Sequence, residues 1–582
     1  MQARIVCEGL RSLIGGLCAV MVCAVAAAAE PPHYDILIRN GTIYDGSGQA
    51  GFVGDVGVTA DRIVYVGRSA DATAKRVIDA RGLAVAPGFI NMLSWANESL
   101  IADGDAQSDI RQGVTLEVMG EGWSEGPLSP QMQRRASERQ TDVKYPVQWT
   151  TLGGYLDHIV RRGISPNVAS FVGATTIRSN ELGEEDLDPS AQQLVRMRAL
   201  VRQAMQEGAL GVGSALIYPP GSYAETPELI ALVGEAARCD GTYISHMRSE
   251  GDRLIEAVDE VIDIARATGA PATIYHFKQL GVDNWPKIDA AIARVEQARS
   301  AGLKITANIY PYTYGGTGLS AAMPTWVQAG GQEQWLARLR DPAIRARVAA
   351  EMNVKGKDWE NLYLAAGGAE GIILAGFRSD ALKPLTGQTL AEVARKRGKT
   401  AEETAMDLVV EDGSRISAFY RVMSEPNVKR GIGLPWMSFG SDEAAPSISG
   451  EVFQKYQSHP RAFGTFARIL GHYVREEGGV TLADAIRRLS ALPAQNLRLQ
   501  ERGSLKPGWF ADITVFDPAT IDDRATYEHP MAYAAGMREV LINGTLVLSG
   551  GEHTGARPGR VVRGPGWSGW PGGGACRREP IP

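Results

Sequence analysis

The sequence predicts an α/β fold, a (β/α)8 (TIM) barrel with a small β-sandwich domain that is built from both termini. Three observations lead to this prediction. Strand-like segments alternate with amphipathic helical segments through the middle of the chain, and strand-and-turn segments occupy both of its ends. The 582 residues also suffice for one large and one small domain, since domains hold roughly 100–200 residues and barrels run longer.

Both ends of the chain are rich in period-2 segments and tight turns. Near the start, "YDILIRNGTIYDGSG" contains Asn-Gly and Asp-Gly pairs, which are typical of turns between strands. Near the other end, "REVLINGTLVLSGG" has the same character. We therefore expect residues 30–85 and 495–554 to form one small β-sandwich domain.

The middle of the chain alternates between candidate strands and helical segments. "GDRLIEAVDEVIDIARATG", for example, has apolar residues at i, i+3, i+4 and i+7 and a glycine stop. A strand followed by a helix, about eight times over, predicts a barrel over residues 86–494. The gap before the last strand is too long for a simple crossover, so we expect an insertion at about 319–430. The candidate strands are 83–91, 115–121, 167–173, 209–214, 241–246, 271–276, 304–310 and 436–442.

The segments outside these two domains differ from them in composition. Residues 1–29 combine Arg4 and Arg11 with an apolar run and small residues before Glu30, the pattern of a secretory signal peptide. The apolar run is shorter than the roughly 20 residues that span a membrane. We therefore expect an exported protein, periplasmic or secreted, with no stable membrane anchor after cleavage. Residues 555–582 are rich in Pro and Gly and predict a disordered tail.

Charge and cysteine content argue against a nucleic-acid-binding protein and against a disulfide-rich protein. The net charge is −6 and no run of Lys and Arg is present, which argues against nucleic acid as a partner. Three of the five cysteines lie in the predicted signal peptide. The two others, Cys239 and Cys576, do not make a disulfide framework, and we expect Cys239 to be a core residue.

Four polar residues stand where predicted barrel strands end. In a TIM barrel these carboxyl ends meet at the face that carries the active site. Taken singly, a histidine there fits a structural role and the aspartate fits a helix cap. Two imidazoles and two carboxylates at one mouth, however, form a zinc-compatible set. The four are Glu121 in "TLEVMGE", His246 in "GTYISH", His276 in "PATIYH" and Asp442 in "WMSFGSD".

The carboxylate ligand has competitors nearby. Glu117 and Glu121 lie on the same face of the predicted strand because strands have a period of two, and Glu117 could be internal to the barrel. Glu125 competes from the loop that follows. We take Glu121 as the ligand and keep Glu117 and Glu125 as alternatives.

Several long segments carry a resemblance to a known family. They include "GALGVGSALIYPPGSYAETPELIAL", "YISHMRSEGDRLIEAVDEVIDIAR", "YHFKQLG", "IYPYTYGGTGL", "SFGSDEAAP" and "HPRAFGTFARILG". With these, residues from about 34 to 550 resemble the amidohydrolase superfamily, and most closely its N-acyl-D-amino-acid deacylase (D-aminoacylase) family. The resemblance implies a metal-dependent barrel with a small β-sandwich and hydrolysis of an N-acyl amide.

The resemblance also implies roles for single residues. The two strand-end histidines match the zinc histidines of the family, and Asp442 matches its general base and proton shuttle. Lys278 matches a residue that contacts the substrate carboxylate, and Tyr310 matches a substrate-site tyrosine. Arg461, in "HPRAFGTF", is a further candidate for binding that carboxylate.

The sequence departs from the family at two points. The His-x-His pair is Leu93 and Trp95 here, and the metal-binding cysteine is replaced in "MGEGW", where Glu121 falls nearest. Leu93 and Trp95 either wall the substrate pocket or fill the barrel floor. A catalytic zinc needs only three protein ligands and one open position. We therefore expect one zinc per chain on Glu121, His246 and His276, as in the similar sugar-phosphate deacetylases of the superfamily.

The function that this resemblance implies is hydrolysis of N-acyl amino acids, of D configuration, by zinc-activated water with Asp442 as the base. The substrate would be a small molecule with a carboxylate, to which Lys278 and Arg461 are suited. Two alternatives stay open: a catalytically inactive ligand-binding homologue, and another amidase such as a hydantoinase-like enzyme. The joint survival of His246, His276 and Asp442 favours an enzyme, because a pure binder has no need of that set.

Overall fold

The structure is a computed structural model that describes residues 32–576 except residues 70, 141 and 456. The predicted signal peptide, residues 1–29, lies outside the described residues. The described chain contains a (β/α)8 barrel and a small β domain, which confirms the predicted fold class. Among the described helices, none combines the length and the apolar character needed to cross a membrane.

Eight parallel strands, numbered here β1 to β8, make the barrel. The short strand Val172–Gly173 follows the third of them along the chain and pairs with the fourth. The barrel closes between its first and last strands, where the Met92 N–H donates to the Phe439 carbonyl over 3.1 Å. The side chains of all eight strands are largely buried, as expected for parallel strands covered by helices. The bounds are β1 Phe89–Asn91, β2 Val114–Met119, β3 Asn167–Ser170, β4 Gly211–Ala215, β5 Thr242–His246, β6 Ala272–Ile274, β7 Ile305–Ile309 and β8 Met437–Phe439.

Amphipathic helices follow these strands and bury their apolar faces. The helix Ala191–Gln206 begins with a capping box between Ser190 and Gln193, which satisfies two otherwise free backbone donors. The helix Leu254–Thr268 ends at Gly269, whose φ of 70° favours glycine. The helices around the barrel are Asn97–Ala102, Gln107–Ile110, Pro130–Glu138, Leu152–Arg162, Ala174–Leu182, Ala191–Gln206, Thr226–Ala237, Leu254–Thr268, Ile288–Ser300, Glu425–Ile432, Arg461–Arg468, Leu482–Leu489 and Ala491–Asn496.

The connection between β7 and β8 is a folded insertion. It was expected at about 319–430, and its first strand begins slightly earlier, at Tyr314. Three strands form an antiparallel sheet, in which Ser417–Arg421 lies between Tyr314–Gly318 and Ile372–Gly376. Its helices are Gln332–Arg338, Pro342–Met352, Leu362–Ala365, Leu390–Arg397 and Ala401–Asp412.

The small β domain joins strands from both ends of the chain in one nine-stranded sheet. The strand Ala84–Pro87 connects the two halves, because it pairs with His33–Ile43 on one side and with Ile513–Phe516 on the other. The sheet surrounds a core of aliphatic side chains from both halves, Ile38 and Val515 among them. Its remaining strands are Phe52–Thr59, Arg62–Gly67, Thr73–Asp79, Met537–Ile542, Thr545–Ser549 and Glu552–His553.

The C-terminal segment differs from the expectation of a disordered tail as far as residue 576. The Gly559 N–H donates to the Ile164 carbonyl, and the Val562 N–H donates to the Val168 carbonyl. Cys576 forms a disulfide with Cys239, which is buried in the core as expected. This pairing was not among the predictions. Backbone hydrogen bonds to the barrel and one covalent link order a segment whose composition predicts disorder.

Candidate active site

Three of the predicted metal ligands meet at the carboxyl end of the barrel. Glu121 lies two residues beyond β2, His246 ends β5 and His276 lies two residues beyond β6. Glu121 Oε1 is 2.8 Å from His246 Nδ1 and 2.8 Å from His276 Nε2. All three side chains are buried. One oxygen therefore faces two nitrogens, and the three donor atoms could hold one metal ion.

The backbone fixes two residues of this site in an uncommon conformation. His276 has a φ of 32° and Asp442 has a φ of 54°, both in the left-handed region that side chains rarely adopt. The His276 N–H donates to Asn308 Oδ1 over 2.8 Å, and the Asp442 N–H donates to the Leu93 carbonyl over 2.8 Å. Neighbouring strands thus hold both residues in place, as is common where strain is kept at functional sites.

A fourth residue of this group, the acidic Glu250, lies behind both imidazoles and is absent from the sequence-based predictions. Its Oε1 is 3.0 Å from His276 Nδ1, and its Oε2 is 3.5 Å from His246 Nε2. One carboxylate therefore orients both rings from the side opposite Glu121. Metal-binding histidines commonly have such a partner, which fixes the tautomer and the ring orientation. The only signal in the sequence is that Glu250 follows His246 by four residues.

The charges of this cluster shift the pKa values of its members strongly. Burial raises the pKa of Glu250, but Lys278 and the two histidines outweigh it and lower that pKa to about 2. Burial also raises the pKa of Glu121, and His276 and His246 hold it below its ordinary range. Burial and Lys278 lower the pKa of His276, whereas Glu250 and Glu121 raise it to about 9. The two ionised carboxylates create a potential that favours a cation between them.

Asp442 lies beside this cluster and is tied to Arg461. Arg461 Nη1 is 2.8 Å from Asp442 Oδ2, and both side chains are largely buried. The guanidinium also lies 4.5 Å from the centre of the Tyr310 ring. Tyr310 follows β7 by one residue, and its hydroxyl has no hydrogen-bond partner among the described residues. The structure thus brings Asp442, Arg461 and Tyr310 to the same mouth.

Lys278 is engaged within the protein. Its ammonium donates to Glu250 Oε1 over 2.8 Å and lies 2.6 Å from His276 Nδ1. It lies 5.8 Å from the centre of the Tyr310 ring. Its present contacts therefore orient the carboxylate behind the imidazoles, and Arg461 is the cation that lies nearer to Asp442.

The two residues in place of the His-x-His pair have different surroundings. Leu93 is completely buried among apolar side chains inside the barrel, such as Ile90 and Val118, so it fills the floor. Trp95 is 40% exposed, and its indole N–H lies 3.1 Å from Glu121 Oε2 and 3.2 Å from Asp442 Oδ1. Leu93 therefore fills the barrel floor, which was one of the two expected alternatives, whereas Trp95 belongs to the site itself.

The competitors of Glu121 lie elsewhere. Glu117 is buried beside Asp109 of the helix Gln107–Ile110 and accepts a hydrogen bond from Asn91 Nδ2 over 3.0 Å. Burial and the charge of Glu98 raise the pKa of Glu125 to about 7. Among the described residues, neither belongs to a group of donors that could hold a metal ion. The geometry therefore favours Glu121.

A cavity of about 330 Å³ lies next to the imidazoles. Its wall includes Tyr218, whose ring centre lies 5.1 Å from that of His246. It also includes Glu360, which accepts a hydrogen bond from the Glu250 N–H over 3.2 Å. The rest of the wall is mixed and comes in good part from the insertion. Its apolar side chains include Trp123, Ile217, Met323, Trp335, Trp359 and Leu362, and its charged side chains are Arg139, Glu184 and Arg415.

These residues fit a zinc ion. Zinc takes imidazole nitrogens and carboxylate oxygens, and three protein ligands leave a position open for water. The donor atoms of Glu121, His246 and His276 lie within 4.8 Å of one another, and Glu250 supplies the outer carboxylate. Asp442 places a further carboxylate close to the donors. Such a site can activate water for attack on a carbonyl group.

Comparison with known proteins agrees with this arrangement. A family model described as "Amidohydrolase family" matches residues 76–548. The chain is 32% identical to the D-aminoacylase of Alcaligenes xylosoxydans xylosoxydans over 92% of this chain and 98% of that protein. Both the family model and this relative cover most of the described chain.

Two solved structures are similar over 91% of this chain and 100% of their own chains. One is the N-acyl-D-glutamate deacylase from Bordetella bronchiseptica, complexed with zinc and a phosphonate mimic of the tetrahedral intermediate, with 29% identity and a TM-score of 0.75. The other is a D-aminoacylase with a binuclear metal centre, described as showing one-metal activation and second-metal attenuation, with 29% identity and a TM-score of 0.74. The chain therefore belongs to the amidohydrolase family, in its D-aminoacylase branch.

Proposed function

We propose that this chain hydrolyses the amide bond of N-acyl-D-amino acids with one zinc ion per chain. The observation that carries the proposal is the convergence of Glu121, His246 and His276 beside the carboxylate of Asp442. The D configuration is supported by the relatives, which are deacylases of D-amino acids. Lewis acidity is what zinc supplies in such a site, since it lowers the pKa of bound water to about 7.

Asp442 is the residue that we assign to proton transfer. Its carboxylate has one oxygen near Arg461 and the other near Trp95, so its orientation is fixed before substrate binds. A base in this position can accept the proton of the attacking water and then deliver it to the leaving nitrogen. The amide bond breaks only when that nitrogen is protonated, so one carboxylate serves both steps.

Substrate recognition is assigned to the cations and the cavity. Arg461 has five N–H donors, and its pairing with Asp442 leaves others for the carboxylate of the substrate. Tyr310 offers a free hydroxyl at the same mouth. Lys278 acts on the substrate through Glu250 and His276 or by exchanging these partners for the substrate carboxylate. The apolar part of the cavity wall can hold an uncharged part of the substrate.

A panel of substrates with a metal measurement tests the proposal. The purified protein is loaded with zinc and offered N-acetyl-D-amino acids, their L forms and hydantoins. We expect release of D-amino acids and about one zinc per chain. Hydrolysis of hydantoins alone would assign another amidase activity. A fully loaded protein that cleaves nothing in the panel would contradict the proposal and favour a ligand-binding homologue.

We also propose that the protein is exported. The pattern of residues 1–29 supports this, and so does the disulfide between Cys239 and Cys576, because disulfides persist in oxidising compartments. Cell fractionation followed by mass spectrometry of the N-terminus is the test. We expect a periplasmic or secreted protein that begins near Glu30, and a cytosolic protein with an intact N-terminus would contradict the proposal.

A further inference from the structure

Trp95 offers the site a hydrogen-bond donor where the family has a metal-binding histidine. Its indole Nε1 lies 3.1 Å from Glu121 Oε2 and 3.2 Å from Asp442 Oδ1. Glu121 Oε1 faces the two histidines, and Asp442 Oδ2 faces Arg461. The single N–H therefore lies between the metal-binding carboxylate and the base, and each carboxylate uses its other oxygen elsewhere.

An indole cannot replace a histidine as a ligand. The indole nitrogen is a donor only, because its lone pair belongs to the aromatic ring. Two carboxylates this close to one another repel unless a cation or a donor lies between them. In a binuclear site a second cation can serve this purpose, whereas here a neutral N–H serves it. Leu93, the other residue of the pair, is buried in the floor and offers no ligand atom.

We propose that Trp95 is a positioning residue that takes the place of a second metal ion. Its N–H aligns Asp442 with the site of Glu121, His246 and His276, and its ring occupies the space where further metal ligands would be needed. The chain would therefore work with a single ion and resist excess zinc. This inference rests on the proposed function for its kinetic part, but its structural part can be tested alone.

The first test measures zinc content and the indole N–H itself. The described surface holds one other group of donors, Glu425, His472 and Glu477, so the measurement is made in a His472→Ala background. We expect about one zinc per chain even after equilibration with a large excess of zinc. The sequence has 11 tryptophans, so their indole N–H resonances form a small set, and the one missing in Trp95→Phe identifies Trp95. We expect that resonance to move when zinc is added.

The second test is kinetic and uses Trp95→Phe, which keeps an aromatic ring and removes the N–H. Hydrogen bonds to charged groups contribute enough that we expect kcat to fall by about tenfold or more, with little change in KM. The matched control is Trp326→Phe, which removes an indole N–H donated to Glu351 over 2.8 Å within the insertion. We expect this control to keep the wild-type kcat.

Three results would overturn the inference: two tightly held zinc ions in the His472→Ala background, a Trp95 resonance that zinc does not move, or an unchanged kcat in Trp95→Phe. If no N-acyl-D-amino acid is cleaved by the wild type, the proposed function fails. The zinc content and the indole resonance would still decide whether Trp95 stands in for a second ion.

Discussion

The two ends of the barrel each bury a cluster of charged and polar side chains, and the two clusters are organised differently. One cluster lies at the amino end of the strands, where Arg502 pairs with Asp512 and donates to Asn543 Oδ1 over 2.9 Å. Asn543 in turn donates to Asn167 Oδ1 over 2.8 Å. We call these four residues the base cluster. The mouth cluster consists of Glu121, His246, Glu250, His276, Lys278, Asp442 and Arg461.

The clusters differ in how completely their polar atoms are paired. Among the residues that the structure describes, every buried side-chain donor and acceptor of the base cluster has a partner. In the mouth cluster, His246 Nε2 and Glu250 Oε2 face each other at 3.5 Å without a hydrogen bond, and Arg461 Nε has none either. Unpaired buried polar atoms cost stability, so they persist where a ligand or a reaction uses them. The base cluster at the amino end of the strands therefore serves stability, and the mouth cluster serves chemistry.

Asp442→Asn should have the largest effect, and that effect should be on activity. Asparagine keeps the size and one acceptor oxygen but cannot take a proton. General-base catalysis contributes about 10² to 10⁴ in rate, so we expect kcat to fall within that range. Zinc content should match the wild type, whereas the thermal unfolding midpoint should fall, because asparagine leaves the buried guanidinium of Arg461 without its ion-pair partner. Steady-state kinetics, metal analysis and a melting curve on the same preparation measure these quantities.

The neighbouring carboxylate provides the control for Asp442. Glu443→Gln removes a carboxyl group that lies 3.8 Å from Arg461 Nε and whose pKa burial raises to about 7, and it leaves the contacts of Asp442 with Trp95 and Arg461 in place. We expect its kcat to stay within a few-fold of the wild-type value. An equally large loss of kcat in both variants would mean that the mouth cluster requires carboxyl groups in general and not Asp442 as the general base.

Arg502→Met should give the second-largest effect and should affect stability. It leaves the buried carboxylate of Asp512 without its cation, which typically costs about 3–5 kcal/mol of unfolding free energy. Urea denaturation measures the loss, and kcat per folded molecule should stay at the wild-type value. In Arg502→Met/Asp512→Asn the charge is gone as well, so much of the stability should return. A double variant no more stable than the single one would contradict the view of a matched pair.

The same contrast explains what could be predicted from the sequence. His246, His276 and Asp442 were identified because each ends an apolar segment, and parallel strands bring their carboxyl ends to one face whatever the details of packing. Glu250 and Trp95 lie in loops beyond the strands, where no period places a side chain. Their roles depend on distances to residues from other strands, which only the closed barrel defines.

The C-terminal segment illustrates the opposite limit. Its Pro and Gly content predicts disorder because such a segment buries little apolar surface by itself. The order comes instead from partners that lie far away in the sequence, such as the Ile164 carbonyl and Cys239. Two cysteines 337 residues apart carry no spacing signal, so their pairing could not be derived from the sequence.

Glu250→Gln sharpens the comparison within the mouth. Glutamine has nearly the same shape but lacks the charge that orients both imidazoles, and partners of this kind typically contribute 10- to 100-fold in metal affinity, roughly. We expect zinc to be released to a chelator correspondingly faster or at lower chelator concentration. Glu360→Gln is the matched control, because its amide oxygen can still accept the Glu250 N–H. Equal zinc affinity in wild type and Glu250→Gln would remove Glu250 from the support of the site.

Glu117→Gln should have the smallest effect. It tests the buried carboxyls that lie between the base cluster and the mouth cluster. Asn91 Nδ2 donates to Glu117 and to Asp109, which lies on the helix Gln107–Ile110. Burial raises the pKa of both carboxyls, and Glu117 raises that of Asp109 further. Folding therefore favours the protonated forms. Their contribution to stability is fully present below the unfolded pKa of about 4 and is lost as the pH rises through the folded values.

The unfolding free energy of the wild type should consequently decline as the pH rises from about 4, and the decline should be shallower in Glu117→Gln. At neutral pH we expect the two proteins to differ by about 1 kcal/mol or less, with the variant the more stable, because it has one acid fewer to deprotonate in the core. Urea denaturation at a series of pH values measures both quantities. A variant whose stability falls with pH as steeply as that of the wild type would show that these buried carboxyls do not set the slope. The pH dependence would then originate in other carboxyls whose pKa burial raises, such as Glu125 and Glu443.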